Sequence, residues 1–277
     1  LASDFIMSKY KLNGLTAVVT GASSGIGRAV AEKLIVRYGC TVVGVGRDEN
    51  KFRDFSEKLG ENVSRFSYRL FDVGNREGWT ELCTFLTKSG ISPDLLVNCA
   101  GILPSFSFYG ENSDAELAVK TNFLSAVYSF ETLGPLLKES VRPKIVNVGS
   151  SSSLCPFAGV AAYCASKAAI ERFTECVALE KGIPAAIVMP GFTDTDVFRF
   201  QNFDAKSKTF FQKFSMTVDR MSDKIIKTIG KGTRRKIIGL DAHLMNFGYK
   251  FFPRLTPVLI TKILKSVKSD AFQNITR

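Results

Sequence analysis

Short apolar runs alternate along this chain with longer segments in which apolar residues recur every three to four positions. The runs fall at residues 16–20, 41–45, 65–70, 95–98, 144–148, 185–189 and 236–239. Near-continuous apolar strands belong to parallel sheets buried on both faces, and the helical segments between them supply the crossovers. Crossovers of this kind are right-handed, so the pattern predicts an α/β fold with one doubly wound parallel sheet. No internal repeat or low-complexity linker breaks the alternation. One domain is therefore expected over 10–240, with an apolar and basic helical extension over 241–277.

Two segments depart from the pattern. Residues 192–214 hold phenylalanines at 192, 198, 200, 203, 210, 211 and 214, interrupted by lysines and Asp204. In the extension, Leu255, Val258, Leu259, Ile263 and Val267 recur at helical spacing. Lys265 and Lys268 lie off that stripe, with Lys250, Arg254 and Lys262 nearby. Such a helix can cap a site, pack on another subunit or lie on an anionic membrane surface.

Composition narrows the class. The chain has 277 residues, 45% hydrophobic and 23% charged, which suits a soluble globular protein. No run of 18 apolar residues predicts a transmembrane helix. The first ten residues lack a secretory layout, and Met7 is read as a native start preceded by six foreign residues. Six cysteines without a C-x-x-C pair, beside the single His243, predict reduced thiols in a cytoplasmic protein and no metal site. A Ser-His-Asp triad would have to use His243. The net charge of +11 favours a phosphorylated ligand. The densest basic cluster, residues 231–236, is short and carries no nucleic-acid motif, so no nucleic-acid partner is expected.

The chemistry concentrates at strand ends. Thr20-Gly21-Ala22-Ser23-Ser24-Gly25-Ile26-Gly27 follows the first strand and opens a helix read over residues 28–38. Glycines there admit a tight turn and let a pyrophosphate approach the backbone, and the helix N-terminus faces the anion. Tyr163 and Lys167 stand at i and i+4 and share one helix face. An ammonium beside a phenol favours the phenolate, so a lowered Tyr163 pKa is expected, useful for proton transfer near neutral pH. Asn98-Cys99-Ala100-Gly101, Gly149-Ser150 and Pro190-Gly191 each follow a strand, where open α/β sheets bind ligands.

Taken together these motifs resemble the short-chain dehydrogenase/reductase family, in order, from about residue 13 to 195. The resemblance implies a Rossmann-type fold. It implies a nicotinamide cofactor bound by Gly21, Ser23, Ser24, Gly25, Ile26 and Gly27, with Asp72 and Val73 at the adenine. Asn98, Ala100 and Gly101 match the family's Asn-Asn-Ala-Gly, with Cys99 in place of the second asparagine. Pro190, Gly191, Thr193 and Thr195 match the segment around the carboxamide. Asn122, Ser150, Tyr163 and Lys167 match the catalytic tetrad. The serine stands thirteen positions before the tyrosine, with Ser151 and Ser152 as rivals. Family roles make Tyr163 the proton donor or acceptor and Ser150 a donor to the reacting oxygen. Lys167 holds the ribose, and Asn122 keeps a relay water.

The end of the second strand bears on cofactor choice. An NAD site usually places an acid there for the ribose hydroxyls. Here Gly46 falls at that place and Arg47 follows, which leaves room and charge for a 2′-phosphate and favours NADP(H) over NAD(H). Asp48 competes if the register shifts by one residue. Arg28 and Ser23 have an ordinary surface reading as well. The expected activity is hydride transfer between NADP(H) and a carbonyl or secondary alcohol. In this family a mobile substrate lid follows the nicotinamide segment, here about 192–220. Phenylalanines lining it favour a bulky apolar substrate, whether steroid-like, lipid-like or an aromatic ketone. Amphipathic helices packed on the core are the plain alternative for that segment. Against the whole reading stand a catalytically idle NADP-binding protein on the same fold and a reductase of a small polar ketone or sugar. A homodimer or homotetramer is expected, with membrane contact through the extension as a further option.

Overall fold

A computed structural model describes residues 10–104, 114–156, 158–180, 182–195 and 205–267, without the side chains of 205–208 and 211. Seven parallel strands form one sheet: β1 Thr16–Thr20, β2 Thr41–Gly46, β3 Phe66–Leu70, β4 Leu95–Asn98, β5 Lys144–Val148, β6 Ala185–Pro190 and β7 Arg235–Ile238. Their order is β3-β2-β1-β4-β5-β6-β7. Every strand end lies within one residue of its expected position. The order reverses between β1 and β4, which opens a crevice beyond the strand C-termini.

Strand pleating explains the two covered faces. Ala17 and Val19 of β1 pack with one apolar cluster, and Val18 between them packs with the other. On the first side lie α1 Gly25–Tyr38, α2 Glu49–Lys58 and, from later in the chain, the helix of residues 218–230. On the second side lie α3 Arg76–Lys88 and a long helix in three parts: α4 Ala115–Val119, a π-helical turn Lys120–Leu124 and α5 Ser125–Lys138. Next come α6 Ala161–Val177, α7 Ala205–Phe214, α8 Val218–Gly230, α9 Leu240–Phe251 and α10 Leu255–Ser266.

Carboxylates answer two of the cations in this frame. Lys33 is buried between α1 and α8, with Nζ 2.8 Å from an Asp219 carboxylate oxygen and 2.7 Å from one of Asp223. Arg235, in the basic cluster, meets Glu171 at 2.8 Å. His243 is exposed on α9.

Candidate active site

The first helix starts earlier than its periodicity suggests. Gly25, Ile26 and Gly27 form the first turn of α1 rather than a loop before it. Gly21 and Gly25 have φ of 67° and 53°, the left-handed region where a side chain is strained. A Cβ on Gly21 would stand 3.0 Å from the Ala100 backbone. Ser24, the N-cap, makes no capping bond, and the first turn holds no acid. The helix N-terminus therefore keeps its N–H groups for an anion.

Two loops close over this turn. The Thr20 hydroxyl accepts from the N–H groups of Cys99 and Ala100, both at 3.0 Å, so the β1 and β4 ends are tied together. Beyond β6, Phe192 N donates to Asp241 Oδ2 at 2.6 Å. A Cβ on Gly191 would collide with that carboxylate, so only glycine lets α9 anchor the segment. Asp241 has no motif to mark it; its partner lies 49 residues away. Thr193 bridges to Met216, and Thr195 packs near Gly25.

Ser150, Tyr163 and Lys167 meet in one cavity of about 200 Å³ between these loops. Ser150 caps a short 3-10 turn, Ser151–Ser153, and its Oγ accepts from Ser152 N at 3.1 Å. Lys167 is buried, and its Nζ donates to Val148 O at 3.1 Å. A Cβ on Gly101 would come within 3.2 Å of that ammonium. One expectation is reversed here. Burial pushes the Tyr163 phenol up to about 12, and a hydrogen bond with Ser150 offsets only part of the rise. Lys167 does not lower it: its Nζ lies 5.9 Å from the ring centroid, and burial brings its own pKa down to about 8. Two groups removed from water each shift toward the neutral form. Cys99 lines the same cavity; burial holds its thiol up at about 12 against the pull of Lys167, so it is no thiolate nucleophile.

The two asparagines stand behind this surface. Asn122 sits in the π-helical turn, and its side chain is fully engaged. Its Oδ1 accepts from Ile102 N at 2.8 Å, while Nδ2 donates to Ile102 O and to Ser166 Oγ. Asn98, expected at the cofactor, does not reach the cavity. It is buried and donates to Ser129 Oγ and Asn147 Oδ1, both at 2.9 Å, which ties β4 to β5 and α5. The reason is the pleat: the last residue of β4 points into the layer, and only Cys99 onward faces the crevice.

At the other end of the crevice, a cavity of about 610 Å³ is bordered by Ser23, Gly46, Arg47, Asp72 and Val73. Arg47 Nη1 lies 3.3 Å from Asp72 Oδ2 and is largely exposed. Asp48 is already used: its Oδ1 caps α2 by accepting from Lys51 N at 3.1 Å. Arg28 turns away to Asp54 at 2.8 Å and stacks on Phe55.

The catalytic cavity also has an apolar wall that the motifs did not reveal. Leu103, Val160, Phe192, Ile260 and Leu264 line it, the last two from α10. Phe210 packs with this group, whereas Phe214 is exposed. Phe198, Phe200 and Phe203 lie outside the described residues.

Comparison with known proteins agrees with this fold. The family model for short chain dehydrogenase matches residues 15–206. The chain belongs to the short-chain dehydrogenase family. It is 36% identical over 203 residues to a 3-oxoacyl-[acyl-carrier-protein] reductase of Vibrio harveyi, across 72% of this chain and 81% of that protein. A 3beta-hydroxysteroid dehydrogenase of Mediterraneibacter gnavus is 31% identical over 209 residues, 74% of each chain. A short-chain dehydrogenase structure from Streptomyces avermitilis superposes with a TM-score of 0.73 at 25% identity, over 92% of this chain and 99% of that one.

This short-chain dehydrogenase is thus an oxidoreductase of a family that uses a nicotinamide cofactor, and its own residues fit such a group. Gly21 and Gly101 leave cradles that a Cβ would fill, α1 presents uncapped N–H groups, and the two cavities meet at Gly21, Ser24, Ala100 and Gly101.

Proposed function

We propose that this dehydrogenase moves hydride between NADP(H) and the carbonyl or secondary alcohol of an apolar substrate. The observation that carries the reading is one cavity that joins Ser150, Tyr163 and Lys167 to the apolar wall of Leu103, Val160, Phe192, Ile260 and Leu264. A volume of about 200 Å³ somewhat exceeds the ~150 Å³ that admits benzene. It suits the reacting end of a steroid-like, lipid-like or aromatic ketone, with the remainder outside. The relatives named as 3-oxoacyl and 3beta-hydroxysteroid enzymes support that class.

Gly21, Ser24, Gly25, Ile26 and Gly27 would hold the pyrophosphate, and Ser23, Arg47, Asp72 and Val73 the adenosine end. Ala100, Gly101, Lys167, Pro190, Gly191, Thr193 and Thr195 would hold the nicotinamide half. When bound, the nicotinamide supplies or accepts the hydride. Tyr163, a phenol at neutral pH, gives its proton to the carbonyl oxygen in reduction and regains it in oxidation. Ser150 hydrogen-bonds that oxygen as charge develops on it. Lys167, beneath Gly101, would hold the ribose. Asn122 clamps Ile102 and so fixes the backbone beside Gly101. Arg47 would meet the 2′-phosphate, since Asp48 is committed to its helix cap. Residues 192–220 act as the substrate lid of a 10–240 catalytic domain, and we expect a homodimer or homotetramer.

The test is a screen that follows oxidation of NADPH and NADH against ketosteroids, 3-oxoacyl thioesters, aromatic ketones and free sugars. Apolar ketones with NADPH should lead. A sugar as the best substrate, or no turnover with any carbonyl, overturns the reading.

A further inference from the structure

Helices α9 and α10 share an apolar face that no described residue covers. On α9, Leu240, Leu244, Phe247 and Phe251 are spaced four, three and four residues apart, which places them in one line. On α10, Leu255, Val258, Leu259 and Ile263, spaced three, one and four residues apart, share one broader face. These eight side chains are 44 to 76% exposed, and Phe252 joins them at the turn. The opposite sides are committed: Ala242 and Met245 of α9 are buried, and Ile260 and Leu264 of α10 line the catalytic cavity. A single helix, α10, thus separates the cavity from the exposed face. Contiguous exposed apolar surface of this kind marks an interaction site.

Charge decides the occupant. Across residues 240–267 Asp241 is the sole acid, and it is held by Phe192 N. Lys250, Arg254, Lys262 and Lys265 are all exposed around or within the face. No ion pair to Arg254, Lys262 or Lys265 occurs among the described residues. Lys262 and Lys265 also flank a groove with Pro156, Ala158 and Pro257. A second copy across a two-fold axis would set these cations against their own kind, with no carboxylate to answer them. An apolar core beneath an anionic layer answers both features. No helix among the described residues is long and apolar enough to cross a membrane, so the pair would lie in the interfacial plane.

We propose that the α9–α10 face docks this enzyme on an anionic membrane surface and sets α10 between the bilayer and the catalytic cavity. An apolar substrate dissolved in the bilayer then meets the cavity at its α10 wall. The docking stands on the helix pair alone; the delivery of substrate rests on the function proposed above.

The experiment is flotation of the full chain with phosphatidylcholine vesicles, with and without about 30 mol% phosphatidylserine, at roughly 50 and 500 mM salt. Binding is expected to the anionic vesicles alone and to weaken at high salt. Lys262→Glu with Lys265→Glu should lower affinity at least about 25-fold, at some fivefold per cation. Leu244→Ser with Phe247→Ser should abolish binding. Both double variants should keep their circular dichroism and their NADPH-linked turnover of a water-soluble ketone. Absence of binding at low salt, or variants that bind like the parent, overturns the docking. So does a mass by light scattering that shows the serine variant losing a dimer while the parent ignores vesicles. Vesicle binding without turnover of any ketone leaves the docking standing and overturns the proposed function, and the delivery with it.

Discussion

Tyr163 shows how far a side chain's chemistry departs from its motif. Spacing put Lys167 on its helix face, but burial dominates both groups and drives each toward its neutral form. A phenol held at about 12 is a proton donor at pH 7, so reduction has its acid in place while oxidation waits for the phenolate. The oxidative kcat/KM should accordingly rise with pH between 7 and 9, and the reductive one should not. Tyr163→Phe keeps the ring and removes the proton; turnover should fall by roughly 10²–10⁴ with NADPH affinity, read by fluorescence titration, nearly unchanged. A variant with half the parent activity removes the role. Arg47 makes the second residue-scale prediction. Its partner Asp72 also accepts from Gly74 N at 2.9 Å, so losing the guanidinium leaves the carboxylate satisfied and the backbone undisturbed. Arg47→Ala should weaken NADPH by about tens-fold, as befits a charge-assisted bond of about 1.5–3 kcal/mol, and leave NADH little changed. Equal loss of both cofactors would count against the 2′-phosphate assignment.

At the scale of elements, the site depends on joints between strand ends and distant helices. The α9 N-terminus is one. Asp241 lies in its first turn, where an acid is favoured by the helix dipole, and it fixes the loop after β6 through Phe192 N. Asp241→Ala should destabilise by about 1–3 kcal/mol in urea unfolding and raise the KM for both cofactor and ketone. Asp241→Asn, which keeps an acceptor oxygen, should recover most of the stability. If Asp241→Ala leaves KM unchanged, the anchor is irrelevant to the site. The π-helical turn of Lys120–Leu124 is a second joint: it interrupts the long helix where Asn122 reaches back to Ile102.

For the whole molecule, buried lysines shape the pH dependence of stability. Lys144 and Lys167 are almost wholly buried, and burial brings each to about 8 from 10.5. Between those values the unfolded chain holds a proton that the native state has released, so stability rises with pH there. Below 8 both states are charged and the native one carries the full penalty. Cys99, Cys155 and Tyr163, raised to about 12, 11 and 12, act in the opposite sense. They keep protons that the unfolded chain gives up above its ordinary 9 to 10, so stability falls again at higher pH. A maximum near pH 9 in urea unfolding is expected, approached at up to about 1.4 kcal/mol per pH unit for each proton released. Lys144→Met should flatten the rise at little cost, because Ile229 O, which Lys144 Nζ contacts at 3.0 Å, keeps Gly232 N as a donor. A parent curve flat from pH 7 to 9 would contradict this account.

Periodicity alone determined the doubly wound sheet, because its inner strands, buried on both faces, leave apolar runs; the edge strands β3 and β7 are half-exposed and carry Arg69, Arg235 and Lys236. The glycine turn, the Tyr163–Lys167 pair and the strand-end loops were likewise legible, since each depends on residues close in sequence. What only the tertiary structure decided involves distance or solvent. Asn98 falls behind the cavity because the pleat, not the motif, sets which way it points. Asp241 anchors a loop 49 residues away. The apolar wall borrows Ile260 and Leu264 from a tail whose stripe, taken alone, fitted packing on the core or a subunit, a cap over the site, or a membrane surface. The tail's helix uses both sides: residues one and a half turns apart face the cavity and the outside, a division that packing creates and spacing cannot assign.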